Sequence, residues 1–257
     1  MTATNNNDRA AWLQGPSAIC STSPAKTDPQ WRLILLGAPG VGKGTQAQLL
    51  HQRLGACHLS TGDVFRNAAS RKDCVPSPAM AAALDYMRRG ELVPDSTVWD
   101  MVRERAGCLR CLGGFLLDGF PRTLTQAESL AQLMEQEKLS LSAVVDYELP
   151  LPEIVSRLSG RRTCSKCKAV FHIVNQPPKS EGICDHCGAA LYQREDDRPE
   201  SITVRLQAYE RSTAPLIDFY QKRNLLLSVP ATGSPEEICE RTLSALSLRS
   251  QLVAAHR

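Results

Sequence analysis

Apolar and polar positions change period repeatedly along this chain. Arg32 to Leu36 is a short apolar run that stops at Gly37 and reads as a buried strand. From Gly42 to Leu54 the apolar residues recur at helical spacing, and Gly55 supplies a C-terminal stop. Ala56 to Leu59 and Phe115 to Leu117 read as two further strands, the second closed by Asp118 and Gly119. Ala143 to Tyr147 and Leu225 to Val229 supply a fourth and a fifth. Residues 60–93 carry one or two helices, with a helical run from Ala79 to Arg89 ahead of Gly90. Thr125 with Glu128 has the form of a capping box, which predicts a helix running to about Lys138. Ser234, Pro235 and Glu237 suit the N-cap, first and third positions of a last helix. Strands alternating with helices imply an α/β fold, a parallel sheet covered by helices on both faces.

Two segments break this pattern. Residues 1–30 hold three consecutive asparagines with Ser, Thr and Pro, and read as a disordered extension, although Trp12, Leu13 and Ile19 offer some apolar contact. Residues 160–197 contain paired cysteines, Pro177-Pro178 and several turn residues, and read as an insertion with its own stabilising device. The expected organisation is therefore a single domain over 31–257, long enough at 257 residues in all to bury a substantial core.

Composition narrows the classes. Hydrophobic residues make up 42% and charged residues 22%, so wholesale disorder is excluded. Thirty basic against 27 acidic residues leave a net charge of +3, too small an excess to mark a nucleic-acid or membrane-surface binder. Apolar runs stay far below the roughly 20 residues that span a bilayer. The N-terminus lacks a basic start followed by an apolar stretch, which argues against a secretory leader. With ten cysteines, that favours a reducing, cytoplasmic setting with free or metal-bound thiols.

The first strand runs into Gly37-Ala38-Pro39-Gly40-Val41-Gly42-Lys43-Gly44-Thr45, which then opens a helix. Glycines let a backbone curl until successive N–H groups face phosphate oxygens, and the helix dipole adds to that field. Lys43 would reach the outer phosphates as a point charge. A plain glycine-rich turn is the alternative. The usual Ser or Thr after the lysine is replaced by Gly44, with Thr45 next.

Cys164-x-x-Cys167 and Cys184-x-x-Cys187 stand 16 residues apart, the spacing of two zinc knuckles. Four thiolates would close a tetrahedron and leave no open position, so the metal's role would be structural. It would hold together about 38 residues that have too few large apolar groups for a core. Iron is a chemical alternative and two disulfides another. His172 and His186 read as packing or surface residues. Cys108-x-x-Cys111 lacks a partner pair and reads as incidental; Cys20, Cys57, Cys74 and Cys239 read as ordinary small residues.

The spelling of the glycine loop resembles that of the adenylate kinase family, within the nucleoside monophosphate kinases. So do Ser60-Thr61-Gly62-Asp63-Val64-Phe65-Arg66, Gly90-Glu91-Leu92-Val93-Pro94-Asp95, and Leu117-Asp118-Gly119-Phe120-Pro121-Arg122-Thr123 with Gln126. Arg157-Leu158-Ser159-Gly160-Arg161-Arg162, Arg194-Glu195-Asp196-Asp197, Arg205 and Pro215-Leu216-Ile217 continue the likeness in order, over about residues 31–246.

The resemblance implies a P-loop NTPase-like sheet of five parallel strands, a helical monophosphate-binding arm at 60–93 and a long, zinc-containing lid at 160–197. It implies reversible transfer of a phosphoryl group from ATP to AMP, giving two ADP, by a protein that is usually monomeric. Its nucleotide partners would be ATP, AMP and ADP. Gly40, Val41, Gly42, Lys43, Gly44 and Thr45, with Arg157 and Arg161, would hold ATP. Thr61, Arg66, Glu91, Leu92, Val93, Gly119, Phe120, Pro121, Arg122, Gln126, Arg194 and Arg205 would hold AMP. Lys43, Arg122, Arg157, Arg161, Arg194 and Arg205 would act on the transferring group. Asp118, with help from Asp63, would orient Mg2+ through water. Asp196 and Asp197 would brace the lid against arginines. A GTP donor, a UMP or CMP acceptor, or a nucleotide-binding interaction module with zinc knuckles are the alternatives.

Overall fold

The computed structural model describes residues 10–15, 18, 20, 29–70 and 78–255. The chain order is α1 (Ala10–Gln14), β1 (Trp31–Leu36), α2 (Lys43–Leu54), β2 (Cys57–Ser60), α3 (Thr61–Ser70), α4 (Pro78–Arg88), α5 (Asp95–Glu104), β3 (Gly114–Asp118), α6 (Leu124–Gln136), β4 (Ala143–Glu148), α7 (Leu151–Ser159), β5 (Arg161–Cys164), β6 (Val170–His172), β7 (Leu191–Tyr192), α8 (Pro199–Ala208), α9 (Pro215–Gln221), β8 (Leu226–Pro230) and α10 (Pro235–Ala255).

Five strands form one parallel sheet in the order β2-β3-β1-β4-β8. Each expected strand is present, with ends displaced by a residue or so. Parallel strands need helical crossovers, and these cover both faces. The pleat then separates β1 into two sets. Ile34 and Leu36 join Phe115, Leu117 and Val144 on one face, under α1, α3, α5, α6 and α9. Leu33 and Leu35 join Leu116, Val145 and Tyr147 on the other, with side chains from α2, α7 and α10. A strand segment buried on both faces must be apolar throughout, which is why Leu33–Leu36 shows no alternation after the half-buried Trp31 and Arg32.

The helix ends follow local chemistry. Ser234 and Glu237 form a reciprocal capping box: the Glu237 N–H donates to Ser234 Oγ at 3.2 Å, and the Ser234 N–H to Glu237 Oε2 at 2.8 Å. The capping box expected at Thr125 and Glu128 lies elsewhere. Thr123 is the N-cap of α6, extended at φ −133° and ψ 158°, and its Oγ1 accepts from the Gln126 N–H. Thr125 is already inside the first turn, where its side chain has no orphan N–H to satisfy.

The insertion is a three-stranded antiparallel sheet in the order β6-β5-β7, over a small cluster of Cys164, Phe171 and Cys184. The disorder expected for residues 1–30 does not extend to α1. Trp12 is only 1% exposed, donates from Nε1 to the Ser60 carbonyl at 3.0 Å, and offers its own carbonyl to Arg105 Nε at 2.7 Å. Leu13 is buried beside it and takes an Asn67 Nδ2 bond on its carbonyl, so two apolar side chains and three hydrogen bonds hold the five-residue helix. The rest of that extension, Ile19 and Cys74 lie outside the described residues, apart from 15, 18, 20, 29 and 30. Among the described residues no helix is long and apolar enough to cross a membrane.

Candidate active site

Register brings the chemistry together. β1 pairs Leu35 with Asp118 of β3 and Leu36 with Asp146 of β4. Both carboxylates therefore flank the point where β1 ends and the glycine loop begins. Chain neighbours leave β1 for opposite sides of the sheet here, which opens a crevice at the carboxyl ends of the strands.

The loop conformation demands glycine. Gly37 and Gly40 have φ of 123° and 92°. A Cβ on Gly37 would lie 2.5 Å from the Tyr147 carbonyl, and one on Gly40 2.8 Å from Leu158 Cγ. Gly42, also left-handed, leads into α2. Lys43 Nζ donates to the carbonyls of Gly37 and Ala38 at 2.6 and 2.9 Å, so the loop curls around its own lysine. Burial lowers the Lys43 pKa to about 8; Asp118 opposes that shift, whereas Arg122 and Arg205 add to it.

A cleft of about 730 Å³ opens over this loop. Gly40 through Thr45 line it, together with Lys43's basic company: Arg66, Arg122, Arg157, Arg161, Arg194 and Arg205. Each arginine is anchored. Arg66 donates to Asp63 at 2.8 Å, and Arg122 Nε to the Gly119 carbonyl at 2.9 Å. Arg157 reaches the carbonyls of Val41 and Ala231 at 3.3 and 2.9 Å. Arg161 grips Asp197 through two bonds at 2.7 and 2.5 Å, and Arg205 meets the same carboxylate at 2.9 Å. Arg194 Nε donates to Thr163 Oγ1 at 2.9 Å.

The cations crowd one another. Burial, with Arg161 and Arg66 nearby, lowers the Arg194 pKa to about 9. Burial lowers those of Arg122 and Arg205 too, with Arg205 acting on Arg122 and Arg161 on Arg205. Arg122 keeps solvent contact through the open cleft while protein surrounds it on the remaining sides. A polyanion entering this space would meet charge held in place before it arrives.

Asp118 also lines the cleft. Burial would raise its pKa, but a 3.2 Å contact with His58 Nε2 and the charge of Lys43 outweigh that and hold it below the usual carboxylate range. An ionised oxygen donor beside the glycine loop fits a hard divalent cation. Asp63 lines the cleft as well, with its carboxylate on Arg66.

Leu92, Gly119 and Pro121 of the expected acceptor set line the cleft, but five others do not. Thr61 and Gln126 are 3% and 4% exposed. Thr61 Oγ1 donates to the Gly119 carbonyl at 3.0 Å. Gln126 Nε2 donates to Asp95 at 2.6 Å while its Oε1 accepts from the Arg122 N–H at 2.8 Å. Phe120 is buried and stacks on Trp99, Val93 is buried, and Glu91 pairs with Arg89. Of the twelve residues expected to hold the acceptor, seven line the cleft, while Thr61 and Gln126 bond to the backbone of Gly119 and Arg122, which do.

Sequence reasoning missed His58, Asp95 and Asp146. Asp146 is 2% exposed, and burial with Glu148 nearby raises its pKa to about 6. Its signal was a lone charge within the apolar run 143–147. Asp95 closed the Gly90–Asp95 motif without a role of its own and His58 carried no signal, because their partners Gln126 and Asp118 are far away in sequence.

In the insertion, the four sulfurs of Cys164, Cys167, Cys184 and Cys187 lie within 4.8 Å of one another, with Cys164–Cys187 at 3.4 Å and Cys167–Cys184 at 3.5 Å. Four ligands at about 2.3 Å from one tetrahedral ion sit roughly 3.8 Å apart, so the set fits a single metal. The histidines stay outside it. His172 Nδ1 accepts N–H bonds from Val174 and Asn175, which leaves Nε2 to donate to the Ser156 carbonyl at 3.1 Å, and His186 packs on Phe171.

A parallel α/β sheet, a glycine loop with its lysine at the end of the central strand and a ring of arginines above them define a P-loop-like kinase fold. The chain belongs to the adenylate kinase family, whose sequence pattern matches residues 35–225. It is 46% identical over 215 residues to a protein named adenylate kinase from Carboxydothermus hydrogenoformans, covering 84% of this chain and 99% of that one. It is 45% identical over 216 residues to one so named from Streptomyces coelicolor, covering 84% and 98%. A third, from Thermodesulfovibrio yellowstonii, is 45% identical over 207 residues, covering 80% and 94%.

Proposed function

We propose that this chain transfers the terminal phosphoryl group of ATP to AMP, giving two ADP. The observation that carries the reading is the convergence of Lys43 and six arginines on one cleft above the glycine loop. Phosphoryl transfer spreads negative charge over the moving group and its neighbours, so fixed cations lower the barrier. The acceptor is a phosphate that already presents an ionised oxygen. No side chain is needed to remove a proton.

Roles follow from position. Amides from Gly40 to Thr45 and the Lys43 ammonium would hold the donor phosphates, Lys43 exchanging its two carbonyl partners for phosphate oxygens. Arg66 and Arg122 would fork onto the acceptor phosphate. Arg157, Arg161, Arg194 and Arg205 would close over the transferring group. Residues 60–93 would act as the acceptor arm and 160–197 as the lid, excluding water that would otherwise take the phosphoryl group. Thr61 and Gln126 would read the acceptor base after Gln126 gives up Asp95.

Asp118, with Asp63 behind it, would orient Mg2+ through water; that ion would supply charge neutralisation between the phosphates. Cys164, Cys167, Cys184 and Cys187 would hold zinc, which would fold the lid and take no part in the reaction.

The test is ADP production from ATP, AMP and magnesium by the purified chain, with GTP as donor and UMP or CMP as acceptors in parallel. AMP with ATP should give the highest kcat/KM, and Lys43→Met should abolish turnover while leaving the unfolding temperature within a few degrees. Nucleotide binding without turnover in every combination would overturn the reading.

A further inference from the structure

Cys108-x-x-Cys111 and Cys57 play no part in the site above, yet the fold brings two of these three thiols together. Cys57 opens β2, and Cys111 ends the 3-10 turn Ala106–Arg110 that leads into β3. Because β2 pairs with β3 in parallel, with Cys57 opposite Phe115, the entrances to both strands lie side by side. The Cys57 and Cys111 sulfurs are 2.8 Å apart.

That separation differs in kind from the one in the lid. Thiolates sharing a tetrahedral ion stand roughly 3.8 Å apart. The lid pairs at 3.4 and 3.5 Å approach this, whereas Cys57 and Cys111 are well inside it. Among the described residues, no third Cys, His or carboxylate joins them in a cluster that could hold a metal. Both side chains are half-buried, so a small oxidant can reach them.

We propose that Cys57 and Cys111 form a reversible disulfide, a redox-modification site outside the cleft, made by exchange with a low-molecular-weight disulfide such as oxidised glutathione. Cys111 is the attacking sulfur: its contact with the Cys57 thiol holds its pKa down, while the same contact and burial raise that of Cys57. The Cys111 thiolate attacks one sulfur of the small disulfide, forming a mixed disulfide and releasing one small thiolate. Cys57 then loses its proton and attacks the Cys111 sulfur, releasing the second. Two protein S–H groups become one S–S bond, and the small disulfide is reduced to two thiols.

The bond would close a ring running from residue 57 to residue 111. That ring contains α3, α4 and α5, and so the whole expected acceptor arm. Tying off a loop of this length removes freedom from the unfolded chain, and should raise the unfolding temperature by about 10 °C.

The experiment uses the full zinc-loaded chain in glutathione buffers of increasing oxidised fraction, quenched by acid and alkylation and mapped as unreduced peptides. A chromogenic chelator reports any zinc lost from the lid. The expected result is a Cys57–Cys111 linked peptide that dithiothreitol removes, formed with lid zinc retained and accompanied by the thermal shift. Cys111→Ser should abolish the shift, and Cys57→Ser should stop at a glutathione adduct on Cys111. The wild-type peptide map needs neither variant. Separate alkylation or glutathionylation of both cysteines at the oxidising end, or linkage of either to Cys108 or Cys20 in place of each other, would overturn the proposal.

Discussion

Arg161 closes a two-pronged ion pair on Asp197, 36 residues along the chain, and that carboxylate is wholly shielded from solvent. The two residues stand at the opposite ends of the insertion, so one buried pair fastens both of its roots. Arg205 of α8 meets the same carboxylate and ties the fastening to the core. Asp197→Asn would strip Arg161 of its two-pronged partner and leave Arg205 with Asp196 alone, at 3.3 Å. A loss of about 3–5 kcal/mol in urea unfolding is expected. A loss below about 1 kcal/mol would mean that Asp196 and solvent, not Asp197, balance those arginines.

Lys43 sets an alkaline limit. Its pKa of about 8 in the free protein is lowered by burial, so the ammonium that should meet phosphate is lost above that pH. Since kcat/KM reports the free enzyme, it should stay level up to about pH 8 and then fall roughly tenfold per pH unit. Lys43→Arg, slower at every pH, should stay level between pH 8 and 9, the range below the Arg194 pKa of about 9. A wild-type profile that remains level to pH 10 would contradict the assignment.

Stripping the metal from the four lid cysteines should unfold the lid before the sheet. The lid's buried apolar cluster is Cys164, Phe171 and Cys184, too little to fold without a metal. Calorimetry after chelation should show an early transition that zinc restores, and Cys184→Ser should show it without chelator. A chelator that removes the ion yet leaves the thermal transition unmoved would end the structural role.

Trp12 should behave as a core residue even though it precedes the first strand. Its indole is 1% exposed and bonded to the Ser60 carbonyl, at the junction of β2 and α3. Trp12→Ala should cost about 3–5 kcal/mol, and hydrogen exchange should speed up in α3, against which α1 packs. Unchanged exchange in α3 would show that α1 is dispensable to the arm.

The central strands were legible because burial on both faces demands apolar runs such as Leu33–Leu36 and Phe115–Leu117, and the edge strands because short apolar stretches border them; such runs are local. The glycine loop was legible for the same reason: its φ requirement and its lysine lie within nine consecutive residues, Gly37 to Thr45. The paired lid cysteines were legible through spacing alone. The cap of α6 was misplaced because Thr123 and Thr125 offer the same hydroxyl, and only the chain's path out of Pro121 selects between them.

What tertiary structure decided is everything that depends on distant partners. Parallel pairing set Asp118 and Asp146 beside the loop and put His58 on Asp118, and the packing of α5 against α6 turned Gln126 toward Asp95. It also set Cys57 against Cys111, two residues that looked incidental apart. Local sequence determines backbone conformation and hydrophobic period, since both act over a few residues. Charge pairing, thiol proximity and the burial of Trp12 depend on which segments the sheet and its crossovers bring within a few ångströms, and no short window of sequence contains that.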